Sequence, residues 1–303
     1  MRQDTITNSN STISWVEQAK LKLRDYRLLV KFNLSFFVVF SAVIAYGCLA
    51  PSVSSLKILT LAVGGFLITG AANALNQILE KDYDKLMKRT AIRPLPSGRM
   101  TNSEAVLAAG FFCLIGVTLL STLNAFTGLL SMVSLICYAF IYTPLKRVTP
   151  LAVAVGAIPG ALPILIGSVA AEGYISLLAM VLFSIQFLWQ FPHFWAIAWV
   201  GHEDYTNAGF RLLPNSTNTK DASVGFQAFI YCVLLIGIFP AAVKLNLIRW
   251  TWASAGMVTA VVFAYYAWLL FRRCSKEAAL QLMFASFFFL PIVLMIFLLD
   301  KYL

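Results

Sequence analysis

Residues 57–84 read KILTLAVGGFLITGAANALNQILEKDYD, and this stretch decides the fold. Its first part, 57–79, carries one charge, Lys57, and as a helix it is long enough to cross a hydrocarbon core of about 30 Å. The helix pattern then runs on into Glu80, Lys81, Asp82, Tyr83 and Asp84 without a Gly or Pro to stop it. A membrane span thus delivers amides and carboxylates to one surface. Polar groups in such a position face a bundle interior or a cavity.

Eight further apolar runs flank it, at about 28–49, 104–122, 125–143, 150–170, 174–199, 222–243, 250–271 and 278–299. Of the 303 residues, 60% are apolar and 12% charged, and the mean hydropathy is +0.80. Soluble domains carry about 25% charged and roughly 45–50% apolar residues, so a water-soluble globule is excluded. The same numbers exclude a disordered chain, a collagen, a disulfide scaffold and a coiled coil. Nine spans of about 20 residues use roughly 180 positions, close to the apolar total. The expected fold is all-α: a polytopic membrane protein with about nine transmembrane helices around a central cavity. Residues 28–303 form a single integral-membrane domain, and 1–27 a cytoplasmic N-terminal tail with a short interfacial helix. That tail lacks the apolar core of a signal peptide, and Asp4, Glu17 and Asp25 count against a transit peptide.

A net charge of +10 in a soluble chain would suggest nucleic acid; here its distribution argues for topology instead. With loops counted alternately, 19 of the 23 Lys and Arg residues fall on one side. The positive-inside rule makes that side cytoplasmic, with the N-terminus there and the C-terminus outside. In a bacterium this is the cell inner membrane, and the lipid bilayer is the one extended partner the composition requires. The five cysteines are scattered with no C-x-x-C pair, so neither a metal cluster nor a disulfide framework is indicated.

Five of the 13 acidic residues, Glu80, Asp82, Asp84, Glu203 and Asp204, lie in two loops on the predicted cytoplasmic side. At about 100° per residue, Asn76, Glu80 and Asp84 share an arc of about 80° that includes Asn73, while Asp82 points away. Oxygen donors at i, i+4, i+8 suit Mg²⁺, which completes its shell with water and substrate phosphates. Lys88, Arg89 and Arg93 follow and suit phosphate oxygens. A solvated helix end with local ion pairs is the competing reading. The second cluster follows a span that ends Gln186-Phe187-Leu188-Trp189-Gln190-Phe191-Pro192-His193. If the helix is not badly bent at Pro192, Gln186, Gln190, His193 and Asp204 share one face. Interhelical hydrogen-bond glue would explain the glutamines equally. The two loops also echo one another, with Asp82-Tyr83 before Arg93 and Leu95-Pro96, and Asp204-Tyr205 before Arg211 and Leu213-Pro214.

Asn76-x-x-x-Glu80-x-x-x-Asp84, followed by Arg93-Pro94-Leu95-Pro96-Ser97-Gly98, resembles the first motif of the UbiA-type intramembrane prenyltransferases, usually N-x-x-x-D-x-x-x-D. Glu80 departs from it by one methylene. The usual second D-x-x-x-D motif is incomplete here, because Ala208 stands four residues after Asp204. With Trp189-Gln190-x-Pro192-His193 and Asp204-Tyr205-x-x-Ala208-Gly209, that departure is similar to the branch of the superfamily that farnesylates protoheme.

The resemblance implies farnesyl diphosphate as donor, protoheme as acceptor and Mg²⁺ as cofactor, with heme a substrate. It implies Asn76, Glu80, Asp84 and Asp204 as metal-binding and catalytic residues, with Lys146 of the Tyr142–Arg147 segment beside the diphosphate. It implies substrate contacts from Asn73, Lys88, Arg89, Arg93, Arg147, Gln186, Gln190, His193 and Tyr205, with His193 touching the heme iron or a propionate. Lys146 and Arg147 also fit a purely topological role. Product delivery to heme A synthase or to terminal oxidase assembly would follow. Three alternatives stay open: a sister enzyme prenylating a quinone precursor or chlorophyll-like ring, a transporter, and a non-catalytic heme-binding assembly factor.

Overall fold

The computed structural model describes residues 14–303; the expected tail up to residue 13 lies outside the described residues. Every regular element among them is helical. The helices are α1 (Trp15–Leu29), α2 (Phe32–Leu49), α3 (Ser55–Asp84), α4 (Asn102–Leu123) and α5 (Ala125–Ile136). After a π-helical stretch, Cys137–Tyr142, come α6 (Thr143–Leu145), α7 (Ala152–Glu172), α8 (Leu177–Val200) and α9 (His202–Asn207). The last three are α10 (Ala222–Lys244), α11 (Trp250–Arg273) and α12 (Lys276–Tyr302). Nine segments among the described residues are long and apolar enough to cross a membrane, and they fall on the nine runs of the sequence within a few residues.

Helix α1 lies where a short helix is expected in the tail. Its Trp15 and Leu23 are exposed, while Asp25 is buried and paired with Arg99. The spans that follow pack in chain order and the ring closes where α12 meets α2. Helix α7 is the most buried span, and it packs on α2, α5 and α8. It carries Pro159 and Pro163. Pro163 has no N–H for the carbonyl of Pro159, which accepts from the Ser134 hydroxyl instead.

One expectation about phase needs correction. Helix α8 does run through Pro192, but it ends at Val200, and Gly201 separates it from α9. Asp204 therefore lies on a different helix from Gln186, Gln190 and His193, and the helical register is not carried across to it.

Candidate active site

The site begins at the corner between α1 and α2. Lys31 holds a left-handed conformation (φ 48°), which turns the chain in one residue. Two side chains of α3 fasten this corner. Gln77 donates its amide to the carbonyls of Leu28 and Leu29 (3.0 and 2.7 Å). Asn73 donates to the carbonyl of Val30 and to the Ser35 hydroxyl (3.2 Å each). These bonds add side-chain donors to carbonyls at the end of α1 and tie that end to α3. Fastened so, the corner carries the Lys31 ammonium to Asn76 Oδ1, at 2.9 Å.

Lys31 is the first of three cations set along the column. Lys146 Nζ lies 2.8 Å from Glu80 Oε1, and Arg93 Nη1 lies 2.6 Å from Asp84 Oδ2. Each cation comes from a different element, and each meets one of the three acceptors that share the face of α3. Glu80 and Asp84 are buried, with side chains 6% and 1% exposed, so the solvated helix end is excluded for them. It holds for Asp82, whose side chain is 82% exposed and paired only with Lys85.

The π-helical stretch places the third side of the column. Its wider winding lets the Thr143 N–H and hydroxyl both reach the Tyr138 carbonyl. Thr143 Oγ1 in turn accepts from Asn76 Nδ2 at 2.9 Å, which fixes Asn76 Oδ1 toward Lys31. Such insertions recur at functional sites. The Tyr142 ring lies beneath the Lys146 ammonium, 4.6 Å from its centroid. It sits so close to Gly156 that a Cβ there would fall 2.6 Å from the ring. Burial works against the charge of Lys146, but Glu80, Tyr138 and Tyr205 together more than offset it and hold its ammonium above the usual lysine range. Lys31 goes the other way. Burial, aided by Arg93 and Lys146, pulls it down to about 7, and Glu80 and Asp84 only partly oppose this.

These groups open on one cavity of about 550 Å³. Its charged lining is Lys31, Arg89, Arg93 and Lys146 against Glu80 and Asp84, a net cationic wall awaiting an anion. One apolar wall follows α3 from Asn76 down to Leu61, with Leu120 and Leu135 beside it. That is roughly 22 Å of helix, room for an extended chain of three isoprene units. The other wall follows α8 through Ile197, Phe194, His193, Trp189 and Gln186.

A Mg²⁺ ion fits the donors present. Asn76, Glu80 and Asp84 offer only oxygen ligands, and Asp84 Oδ1 is buried with no hydrogen-bond partner. Among the described residues no three His, Cys, Asp or Glu side chains gather as a metal cluster. An ion here would therefore complete its shell with oxygens from substrate and water, as Mg²⁺ commonly does.

The remaining expected residues are distributed unevenly. Asn73 lines the cavity, but its amide is engaged by Val30 and Ser35, and Tyr138 OH donates to its Oδ1 at 3.4 Å. Gln186 and Gln190 also line it, with their amides on the α7 carbonyls of Gly160 and Ala157 (2.7 and 2.9 Å). Gln186 Oε1 is left without a partner. Tyr205 lines the mouth and accepts from Arg89 at 2.9 Å. His193 lines the acceptor wall, its ring stacked on Trp189 at 4.5 Å. Three residues stand off the lining. Lys88 is exposed, Arg147 lies over the Tyr83 ring at 4.3 Å, and Asp204 has no ion pair among the described residues. The sequence reading missed Lys31, Tyr138 and Thr143 as site residues. Lys31 stood as one more cytoplasmic charge, although a lone cation at the very start of a span was a signal.

Residues 35–290 match the UbiA prenyltransferase family. The chain belongs to the UbiA prenyltransferase family. A protoheme IX farnesyltransferase from Cytophaga hutchinsonii is 45% identical over 286 residues, covering 92% of this chain and 98% of that one. One from Christiangramia forsetii is 41% identical, covering 92% and 94%. Two solved structures share the fold. A digeranylgeranylglyceryl phosphate synthase superposes with a TM-score of 0.76 at 19% identity, covering 93% of this chain and 99% of that one. A UbiA homolog from Archaeoglobus fulgidus bound to GPP and Mg²⁺ gives 0.65 at 13% identity, covering 90% and 99%.

Proposed function

We propose that this chain transfers a farnesyl group from farnesyl diphosphate to the vinyl group of protoheme, making heme O for terminal oxidases. The observation that carries the reading is the column of Asn76, Glu80 and Asp84, each held by a cation, at the mouth of an apolar cavity. It is joined by the naming of relatives up to 45% identical as protoheme IX farnesyltransferases.

In this reading Lys31, Lys146, Arg93 and Arg89 bind the diphosphate. Because they already stand in place, charge gathering on the leaving group meets donors that need no reorganisation. Asn76, Glu80 and Asp84 would hold Mg²⁺, which when bound supplies Lewis-acid stabilisation of the departing diphosphate. The C1–O bond breaks and its electron pair leaves with diphosphate. The vinyl π pair forms the new C–C bond to C1. Water then adds to the carbon next to the ring and loses a proton. The apolar wall below Asn76 takes the farnesyl chain and keeps bulk water from the allylic cation. The aromatic wall of α8 takes the porphyrin, with His193 against it.

The cationic mouth lies at the C-terminal end of α3, on the side whose segments carry 19 of the 23 Lys and Arg residues, a bias that supports an active site facing the cytoplasm across the bacterial inner membrane. Single cysteines at Ser97 and Ser216, in a background without the native five, should be shielded from an impermeant thiol reagent in intact cells. Labelling at both reverses the orientation. The amphiphilic product would pass to heme A synthase or to oxidase assembly.

The test of the activity is direct. Membranes containing this chain are incubated with farnesyl diphosphate, Mg²⁺ and protoheme, and the products identified by mass. A heme carrying one farnesyl group and one added hydroxyl is expected. Prenylation of a quinone precursor with protoheme untouched would overturn the reading.

A further inference from the structure

Ser286 of α12 faces His193 across the acceptor wall, and its hydrogen bonds determine how that ring can be protonated. Ser286 Oγ lies 2.7 Å from His193 Nδ1 and 2.5 Å from the carbonyl oxygen of Met283, one turn earlier in the same helix. A hydroxyl has a single hydrogen to give. If it went to His193, two oxygen lone pairs would face each other at 2.5 Å with nothing between them. The hydrogen therefore goes to Met283, and Ser286 Oγ can only accept from the imidazole. Nδ1 of the neutral ring must carry its proton, and Nε2 is left bare.

Other contacts hold the ring in that pose. Trp189 stacks on His193 with an interplanar angle of 18°, and its indole N–H donates to the backbone carbonyl of the same Ser286 (2.8 Å). Phe287 meets the imidazole edge-on at 5.4 Å. No side chain or backbone group among the described residues bonds Nε2, and His193 lines the cavity. A histidine whose one nitrogen donates to a fixed acceptor while the other is free has the arrangement of a metal-ligating imidazole.

Resting on the farnesyltransfer reading above, we infer that Ser286 is a positioning residue that locks His193 as its Nδ1–H tautomer. Nε2 thereby presents its lone pair to the cavity as a ligand for the iron of the incoming tetrapyrrole. Ser286 touches neither substrate; it acts through His193. The consequence is selectivity for a metal-bearing ring over a quinone precursor or a metal-free ring, neither of which has a metal for Nε2 to ligate.

The chain has two histidines, so ¹⁵N-histidine labelling with a His202→Gln variant to assign signals reads His193 directly. Without any heme, the intact protein should show a protonated Nδ1 and a bare Nε2. Ser286→Ala should give a mixture of both tautomers, and Ser286→Thr, which keeps a hydroxyl able to reach the i−3 carbonyl, should restore the single form. Added protoheme should shift Nε2 and give a histidine-ligated absorption spectrum. Ser286→Ala should weaken that binding by roughly tenfold, the usual scale for outer-shell partners, with KM for farnesyl diphosphate unchanged. A proton on Nε2 in the intact protein, or one unchanged tautomer in Ser286→Ala, overturns the inference. The first of these decides even if the alanine variant fails to fold. Farnesyl transfer that proceeds while protoheme leaves Nε2 unmoved removes the ligand role and keeps the enzyme. No farnesylated heme under any condition overturns the functional reading instead, while the tautomer result stands.

Discussion

Glu80 and Asp84 close α3 as buried carboxylates, each holding a cation from another element. Glu203 and Asp204, after α8, sit on the short helix α9, with no ion pair among the described residues. Both clusters follow a long span, and the two loops pack together through Met87, Ala208 and Phe210. The difference lies in helix continuity. α3 continues unbroken past its apolar part, so its carboxylates keep the register of Asn76 and turn with it into the cavity. α8 stops at Gly201, which leaves Glu203 exposed and Asp204 half-buried off the cavity lining. A carboxylate buried beside fixed cations is costly to arrange and is retained where charge must be handled, whereas a solvated one needs no explanation.

The contrast can be broken by substitution. Asp84→Ala has the largest expected effect. It removes the unpartnered oxygen and leaves Arg93 unpaired, and turnover should fall at least 100-fold, about 3 kcal/mol of barrier, with membrane insertion intact. Wild-type turnover at saturating donor would remove the column from the chemistry. Lys31→Met should come next, with donor affinity falling on the order of tenfold, the range for one charge-assisted hydrogen bond. KM for farnesyl diphosphate measures it, and an unchanged KM returns Lys31 to a topological role.

Glu80 sharpens the comparison from inside the column. Glu80→Ala should lose the Lys146 contact and much of the activity, whereas Glu80→Asp should keep most of it by retaining a carboxylate of the commoner family length. Equal loss in both would show that the extra methylene is required. Asp204→Ala should have the smallest effect, a few-fold at most in kcat. A loss matching that of Asp84→Ala would mean that α9 swings onto the donor during turnover, and that the second cluster is a true partner of the first.

Much of this was legible in the sequence, for physical reasons. Each span needs about 20 apolar residues whatever its neighbours do, so composition alone sets the count. The column was legible because helical periodicity fixes which residues of one helix share a face. What crosses between helices was not. Lys31 reaches a partner 45 residues away, and Ser286 one 93 residues away. The π-helical stretch has no apolar period to announce it, yet it brings Tyr138, Thr143 and Lys146 to the column. Asp204 was misplaced because a helical phase was carried through a glycine that ends the helix. Gln186 and Gln190 show the remaining ambiguity: their amides bind α7 as glue while both line the cavity.

Binding of an unreactive farnesyl thiodiphosphate, titrated with and without Mg²⁺, tests the donor site apart from the chemistry. The account predicts Mg²⁺-dependent binding by the intact protein and by Asp204→Ala, and its loss in Asp84→Ala. Equal Mg²⁺-dependent binding by the intact protein and Asp84→Ala would contradict it.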